Sequence, residues 1–472
     1  MDSESVDVLV IGGGLAGHSA AIGAAEAGAS VLLAEKQGQV GGSTVLSGGF
    51  LAFAGTPEQQ RHGIVDTDQM LLDDLRAVGG PDADEALMAE YVAHQMATYR
   101  WLTGLGIRFG AVEQSAGQRV ARSHESDIKG LIATLDAHFL RSPKCELRLN
   151  APVTALVREE IGGPVRAVDL GSGKARRRVR INGGVVIASG GFSRSEPLLR
   201  LFAPAQAKAM RIGGAGNTGD GLRMAWLLGA GMRDMGQVRG TFGNHPTSTG
   251  DKHELQLAYY MGAIIVNTLG RRFVDESLSY KQLGDACLAQ PDQLAFQVFD
   301  QNVMDKSDPG VKIFDFRIPL ERGLLIAADS IEALAQKCAM DASALRQTIE
   351  RYNEGVDRGR DAEFRRDGLC AHAGALVRLD RAPYYAYPSR TVVLATYCGL
   401  HADAKTRVRD VNGDVIRGVF AAGEVVGGFH GQSYMTGTSL GKATIFGRLA
   451  GQQAAARARD AADYDSDSSG RA

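Results

Sequence analysis

The stretch that most constrains the fold lies at the N-terminal end. A hydrophobic run, Val6-Asp7-Val8-Leu9-Val10-Ile11, reads as a buried β-strand and passes straight into Gly12-Gly13-Gly14-Leu15-Ala16-Gly17. An alanine-rich stretch of helical character follows, Ser19 to Ala27. Then come Gly28 and a second strand, Ala29 to Ala34, ending on Glu35. Strand, G-x-G-x-x-G, helix, strand and acid in this order form the dinucleotide fingerprint in its full context. Gly12 makes the tight turn, Gly14 lets a pyrophosphate approach the backbone, and Gly17 lets helix and strand pack closely. The helix start, at Leu15 and Ala16, offers N–H groups and a positive dipole end to the phosphates. Glu35 can accept from a ribose 2′-OH, and its charge disfavours a 2′-phosphate. A bare glycine turn would leave ligand binding open; here both strands and the acid stand in register.

The chain has 472 residues, too long for one ordinary core, so two domains are expected. Hydrophobic residues make up 44% and charged residues 22%, a globular balance. A formal net charge of −2 gives no electrostatic reason to expect nucleic acid. Cys145, Cys287, Cys338, Cys370 and Cys398 are scattered, with no C-x-x-C and no metal-ligand spacing. Reduced thiols in a cytoplasmic protein, and no metal, are the expectation. No apolar run reaches the ~18 residues of a membrane helix, and no basic n-region suggests a secretory signal.

After Glu35 comes Lys36-Gln37-Gly38-Gln39-Val40-Gly41-Gly42-Ser43-Thr44-Val45-Leu46-Ser47-Gly48-Gly49. Small and hydroxylated residues dominate, so backbone must come close to something flat or anionic. This segment resembles the flavin-contact loop of the fumarate reductase/succinate dehydrogenase flavoprotein superfamily. The resemblance implies FAD, an α/β fold with a Rossmann-like FAD-binding domain of the glutathione-reductase type, and an inserted α+β cap domain. It assigns cofactor contacts to Lys36, Gly41, Gly42, Ser43, Thr44, Ser47, Gly48 and Gly49. Membrane-bound members carry a histidine here that bonds covalently to FAD. The matching position is Ser43, so non-covalent FAD is expected.

Four further stretches carry the resemblance. Leu147 to Val157 reads as strand, break, strand, and in the family backbone of the Val153 type passes the adenine. Gly183-Gly184-Val185-Val186-Ile187-Ala188-Ser189-Gly190-Gly191-Phe192 is a buried strand running into glycines, with Ala188, Ser189 and Gly190 as contacts. Gly216-Asn217-Thr218-Gly219-Asp220-Gly221 matches the T-G-D-G motif ahead of a helical stretch, Leu222 to Leu228, with Asn217, Thr218 and Asp220 as contacts and Asp220 as a good helix cap. Gly418 to Gly428 is the third FAD segment, where Gly423 contributes and Glu424 is placed to bond the ribityl chain. A final helix, contacting the flavin through Thr438, Ser439 and Leu440, runs to about Arg457. Its N–H groups would point at the flavin edge that gains negative charge on reduction. The implied organisation is an FAD-binding domain over 1–237, a cap and substrate domain over 238–372, the FAD-binding domain resumed over 373–458, and a polar, disordered tail over 459–472.

Other stretches read more plainly. Thr67 to Gly106 is helical, with Asp68, Asp73, Asp74, Asp82 and Asp84 near helix starts. His94 and His124 stand alone and read as surface or packing residues. Lys174 to Arg180 carries five basic residues in seven and reads as a solvated hairpin. The cap region is expected to hold a strand pair, Ala263 to Asn267 with Phe273-Val274-Asp275, and helices near Ile331 to Lys337 and Ala342 to Asn353.

The resemblance also bears on substrate. Fumarate-reducing members clamp two carboxylates with arginine and histidine, and another arginine delivers the proton. Of those positions this chain keeps His245, in His245-Pro246-Thr247. The histidine ahead of T-x-G-G falls at Ala395, the carboxylate arginine after His430-Gly431 at Tyr434, and the proton-delivering arginine at Tyr280. The relay segment reads Leu257-Ala258-Tyr259-Tyr260. Without a bidentate guanidinium, a dicarboxylate loses its main charge-assisted contacts. Tyr434-x-Thr436-Gly437-x-Ser439-Leu440-Gly441 is instead similar to the Y-x-S-G-x-S-L-G pattern of 3-ketosteroid Δ4-dehydrogenases. In those enzymes tyrosines polarise a ketone and handle a proton while hydride moves between flavin N5 and the carbon β to the carbonyl. Tyrosine as a base needs help from positive charge or a helix end, and Lys281 and the last helix are the candidates. The expected substrate is a cyclic ketone or enone, with an electron partner the sequence does not name. Two alternatives stand. One is a fumarate reductase-like or tricarballylate dehydrogenase-like enzyme using Arg239, Arg272 or Lys281; the other is a non-catalytic flavin-binding module.

Overall fold

The fold is that of a computed structural model describing residues 4–171, 173–250, 252–370 and 374–469, without the side chains of Lys174 and of residues beyond 459. The chain divides into two compact units. The first comprises Met1–Leu198, Gly213–Val238 and Ala395–Ala472; the second comprises Leu199–Ile212 and Arg239–Leu394.

In the first unit the strand Ser5–Ile11 is flanked on both edges. Leu9 stands opposite Leu32 of Val31–Ala34 and opposite Val185 of Arg177–Ile187, both parallel. A parallel strand covered on both faces reads as an unbroken apolar run, and Val8, Leu9 and Val10 are fully buried. The sheet continues through Cys145–Arg148 on one side and Val415–Ala421 and Arg407–Arg409 on the other. A hairpin, Val153–Arg158 with Val165–Leu170, joins it through Arg177–Ile187. The helix Leu15–Glu26 makes the first crossover, and Leu15 to Ala24 are all buried along it. It is buried along most of its length, His18 and Ser19 included, and the last helix, Thr438–Ser469, lies against it through small residues. A Cβ on Gly451 would sit 1.9 Å from the Ala20 carbonyl oxygen, and one on Gly447 2.5 Å from that of Ala16.

The expected helical stretch 67–106 resolves into Asp68–Gly79 and Glu85–Gly104, broken at Gly80-Pro81 and capped by the side chains of Thr67 and Asp84. The basic run folds into the hairpin beside Asp169, which holds Arg176 and, at 2.9 Å, Arg178. The last helix continues to Ser469 rather than ending near Arg457, through most of the stretch read as a disordered tail. No helix among the described residues is long and apolar enough to cross a membrane.

The second unit is built on a mostly antiparallel sheet of six strands among the described residues. Its central strand, Tyr384–Val393, pairs with Leu294–Asp300, Thr241–Asn244, Ile326–Ala328 and Met210–Arg211. Residues 374–394 therefore belong here, and the chain returns to the first unit at Ala395 rather than at 373. The strand Ile264–Asn267 pairs with Leu294–Asp300, not with residues 273–275, which form no strand; an isolated bridge joins Val266 to Arg272. The helices Ile331–Lys337 and Ala342–Asp357 stand where the apolar spacing puts them.

Candidate functional site

The glycine turn is shaped as its residue types require. Gly12 has φ +106°, and a Cβ on Gly17 would lie 1.8 Å from the Gly12 carbonyl oxygen, so only glycine lets the helix sit this close to the strand. A Cβ on Gly14 would meet nothing nearer than Thr44 Oγ1 at 3.6 Å, which leaves open space where a phosphate would lie. Gly14 caps the helix without a side-chain bond, and the Leu15 N–H donates to Thr44 Oγ1 at 3.1 Å. The side chains of Leu15 and Ala16 are buried, so their contribution to a ligand is backbone. Glu35 accepts the N–H groups of Gly13, at 2.7 Å, and Gln37, at 2.8 Å. Each carboxylate oxygen keeps a lone pair for a ribose hydroxyl.

The following loop is tied back onto the turn. Gly41 N–H donates to the Gly13 carbonyl, and Gly41 and Gly42 both take positive φ, 110° and 50°. Ser43 Oγ accepts the Gly214 N–H at 3.1 Å, and Ser47 Oγ donates to the Thr44 carbonyl at 2.7 Å. Gly49 offers its carbonyl to Ser126, and Gly48 has only Phe50 beside it. Lys36 reaches across to the Thr-Gly-Asp turn, donating to Thr218 Oγ1 at 2.6 Å and Asp220 Oδ2 at 2.5 Å. Asp220 is thus bound to Lys36, and the helix Asp220–Trp226 is capped instead by Gly219 in the left-handed region. Val153 is buried opposite Leu170, and Ala188 is tied to Ile11 by its N–H. Ser189 Oγ is buried with no hydrogen-bond partner among the described residues.

Asn217 and Glu424 meet. Asn217 Nδ2 donates to Glu424 Oε2 at 3.0 Å, while Thr396 N–H donates to Oε1 at 2.8 Å. Burial pushes the Glu424 carboxyl upward, and those two donors pull it down. Gly190, at φ +71°, passes so close to Asn217 that a Cβ would clash at 2.4 Å; one on Gly423 would meet Ala16 Cβ at 2.6 Å.

The start of the last helix carries the chemical candidates of the first unit. Tyr434 Oη accepts the Gly437 N–H at 3.2 Å. Burial raises its hydroxyl above the usual phenol value, against the pull of Gly437 and Ser439. Thr436 lies on the same loop, its N–H on the Ala116 carbonyl and its own carbonyl on Gln118 Nε2 at 2.8 Å. Thr438 Oγ1 donates to Met435, Ser439 sits against Tyr434, and Leu440 packs partly into the core. Two residues not singled out as site candidates complete the cluster. Tyr397 stacks on Tyr434, centroids 5.1 Å apart and 28° between planes, and His430 stands edge-on to both rings. Burial, then Lys442, holds His430 well below the usual histidine range. Lys442 is itself buried, donates to the Val426 carbonyl at 2.6 Å, and is pushed down to about 8 by burial. The pairing of residues 397 and 434 leaves no local pattern in the sequence.

In the second unit Tyr259 is fully buried, and its hydroxyl finds no partner among the described residues. Burial, with Tyr260, Cys370 and Tyr280 nearby, raises it far above the usual value. Tyr280 opens the helix Tyr280–Leu288, and the Lys281 ammonium lies 5.4 Å from the Tyr280 ring centre. Lys281 donates to the Arg239 carbonyl at 3.1 Å and Thr241 Oγ1 at 2.9 Å, and burial brings it down to about 7. Tyr259, Tyr280 and Lys281 are therefore brought together, and His245 packs on the ring of Tyr387, 5.5 Å between centroids. The His245 Nδ1 accepts the Thr247 N–H at 3.2 Å, which assigns the ring proton to Nε2. Arg272 is spent on Glu276 and Asp361, at 2.6 and 2.9 Å, and Arg239 on Asp285 at 2.7 Å. His124 packs inside, on Thr56 Oγ1 at 2.7 Å, and His94 pairs with Glu90 on its own helix.

The open space at Gly14, a helix start whose cap residue brings no side chain, and the fixed Glu35 fit a dinucleotide; Gly12 to Gly17, Glu35, the 41–49 loop, Asn217 and Glu424 could hold it. A family model described as "FAD binding domain" matches residues 7–440. This chain belongs to that family. It is an FAD-dependent oxidoreductase. A probable fumarate reductase, Ifc3, of Shewanella frigidimarina (strain NCIMB 400) is 31% identical to this flavoprotein over 466 residues, covering 97% of this chain and 76% of that one. The open conformation of a flavocytochrome c3 fumarate reductase superposes with a TM-score of 0.85 at 29% identity, over 97% and 79% of the two chains. The 3-ketosteroid-Δ4-(5α)-dehydrogenase of Rhodococcus jostii RHA1, solved with 4-androstene-3,17-dione, gives a TM-score of 0.74 at 25% identity, over 96% and 97%.

Proposed function

We propose that this FAD-dependent oxidoreductase acts on a CH–CH bond conjugated to a carbonyl in a planar, largely uncharged ring substrate, as a ketone desaturase or enone reductase holding FAD non-covalently. What supports the reading is Tyr434, which by the motif resemblance stands where fumarate-reducing members have a carboxylate-binding arginine, together with its hydroxyl accepting the Gly437 N–H at the last helix. Bound FAD supplies the two-electron donor or acceptor. Tyr434 keeps its proton, because burial raises it, and because its oxygen accepts Gly437 the O–H hydrogen is left for a carbonyl oxygen. A carbonyl so polarised acidifies its α-carbon. In the second unit Tyr280 has the Lys281 amine 5.4 Å from its ring centre and is the candidate there for handling a proton. Tyr259 is too deeply buried to ionise and serves as a neutral hydroxyl. Five unpaired cysteines support a reducing, cytoplasmic setting.

A second reading, a carboxylate-reducing enzyme, is supported by the fumarate reductase among the relatives. Against it, the guanidinium groups of Arg272 and Arg239 are already paired with acids of the same unit. An unpaired buried carboxylate would be costly. The test is anaerobic stopped-flow mixing: oxidised enzyme with a saturated 3-ketosteroid and with succinate, and reduced enzyme with the matching enone and with fumarate. Fast reoxidation by the enone and slow reoxidation by fumarate is the expected result. Fast reoxidation by fumarate alone would move the enzyme to the second reading.

A further inference from the structure

Tyr434 cannot orient its own ring. Gly437, whose N–H lies at 3.2 Å, and Ser439 hold its oxygen, and the ring is only half-buried. What holds the ring plane is Tyr397, stacked at 5.1 Å and 28°, with His430 closing the edge of both rings at 5.3 and 5.5 Å. Stacking of this kind fixes a plane as well as burying area. Tyr397 is itself anchored next to the cofactor-side carboxylate. The residue before it, Thr396, gives its N–H to Glu424 at 2.8 Å and its Oγ1 accepts the Phe192 N–H at 3.4 Å. The residue after it, Cys398, is fully buried. The Tyr434 loop is pinned from its other side by Gln118 on the Thr436 carbonyl and by the Ala52 N–H on the Gly437 carbonyl at 3.1 Å. Both backbones are fixed, and the ring contact links them.

We propose that Tyr397 is the positioning residue for Tyr434: its ring face, not its hydroxyl, holds Tyr434 over the Gly437 N–H, and the two half-buried rings together form the flat surface that selects ring-bearing, uncharged substrates. This rests on the reading of Tyr434 as the carbonyl-polarising group. It predicts that Tyr397 acts only through Tyr434, so the two positions must be coupled.

The experiment is a double-mutant cycle on holoenzyme with Tyr397→Phe, Tyr397→Met, Tyr434→Phe and the double variant carrying Tyr397→Met with Tyr434→Phe. It is run on whichever acceptor of the enone and carboxylate panel reoxidises the wild-type flavin, so failure of the enone reading changes the acceptor and leaves the coupling measurable. Tyr397→Phe keeps the stack and should stay within about twofold of wild-type kcat. Tyr397→Met fills similar volume without a ring and should lower kcat on the order of tenfold, the scale of a misplaced catalytic group, with FAD content unchanged. In the Tyr434→Phe background the same change should cost less than about twofold. The proposal is overturned if Tyr397→Met costs its full tenfold in that background, if Tyr397→Phe is as damaged as Tyr397→Met, or if Tyr397→Met leaves kcat unaltered. Should Tyr397→Met lose FAD or fail to fold, Tyr397→Leu takes its place with the same outcomes.

Discussion

Tyr434→Phe removes one hydroxyl and leaves the ring on Tyr397 and His430. The flavin spectrum should be unchanged and turnover should fall on the order of 10²-fold, the scale of an oxyanion-stabilising donor. Unchanged turnover on an identified substrate would remove Tyr434 from the mechanism. Lys442 gives a second measurable at this scale. Burial takes it from the usual 10.5 to about 8, with Glu424 and Asp234 pulling the other way. Its folded value is depressed, so the unfolded chain binds more protons between pH 8 and 10.5, and stability rises with pH across that window. The penalty is full below pH 8 and gone above 10.5, on the order of 3 kcal/mol in all. Lys442→Met escapes it. The difference in Tm between Lys442→Met and wild type should therefore be most favourable to the variant at pH 7 and shrink steadily toward pH 10.5. A difference constant over that range would show that the amine is charged and unpenalised throughout.

At the scale of elements, the glycine turn was legible because the spacing of its glycines is set by the turn and the ligand it leaves room for. Gly17 faces the Gly12 carbonyl, and Gly14 faces open space beside Thr44. Gly14→Val should therefore yield protein that folds without retaining FAD, read as the flavin-to-protein absorbance ratio. Gly17→Ala should instead lower Tm, because its methyl would meet backbone at 1.8 Å and push helix from strand, a cost of roughly 1–3 kcal/mol. Retention of FAD by Gly14→Val would contradict the fingerprint. The second unit was harder to read. Its central strand, Tyr384–Val393, carries Pro388 and ends on no glycine motif, and a proline demotes a run to an edge. In the fold Pro388 stands opposite Phe296 in the middle of the sheet, so the return to the first unit falls at Ala395, later than the glycine rhythm indicates. The two-residue strand Met210–Arg211 is too short to leave any period. The stacking of Tyr397 on Tyr434 depends on where two distant loops come to rest, and no local periodicity encodes that.

At the scale of the molecule, each unit has its own apolar core, one around Val8, Leu33, Ala20 and Phe446, the other around Ile264, Val298, Tyr352 and Ala386. Each also buries an ion cluster. In the first, Arg122 bridges Asp66 and Asp74 at 2.7 and 2.6 Å; in the second, Glu276 takes Arg272 at 2.6 Å and Arg366 at 3.1 Å, with Asp361 on Arg272. The Arg272, Arg366 and Glu276 side chains have no exposed surface. Removing one acid from such a set leaves an uncompensated buried cation, which costs about 3–5 kcal/mol, more than the pair contributed when intact. Glu276→Gln preserves shape and removes only the charge, so the loss should fall on the second unit. Calorimetry of the holoenzyme should show a transition moving to lower temperature, with faster amide exchange in Ile264–Asn267 and Leu294–Asp300. The FAD content of the native protein and the temperature at which flavin fluorescence is released should stay at wild-type values, because the glycine turn, Glu35 and Glu424 all belong to the first unit. If FAD release moves down together with the calorimetric transition, the two cores unfold as one cooperative body.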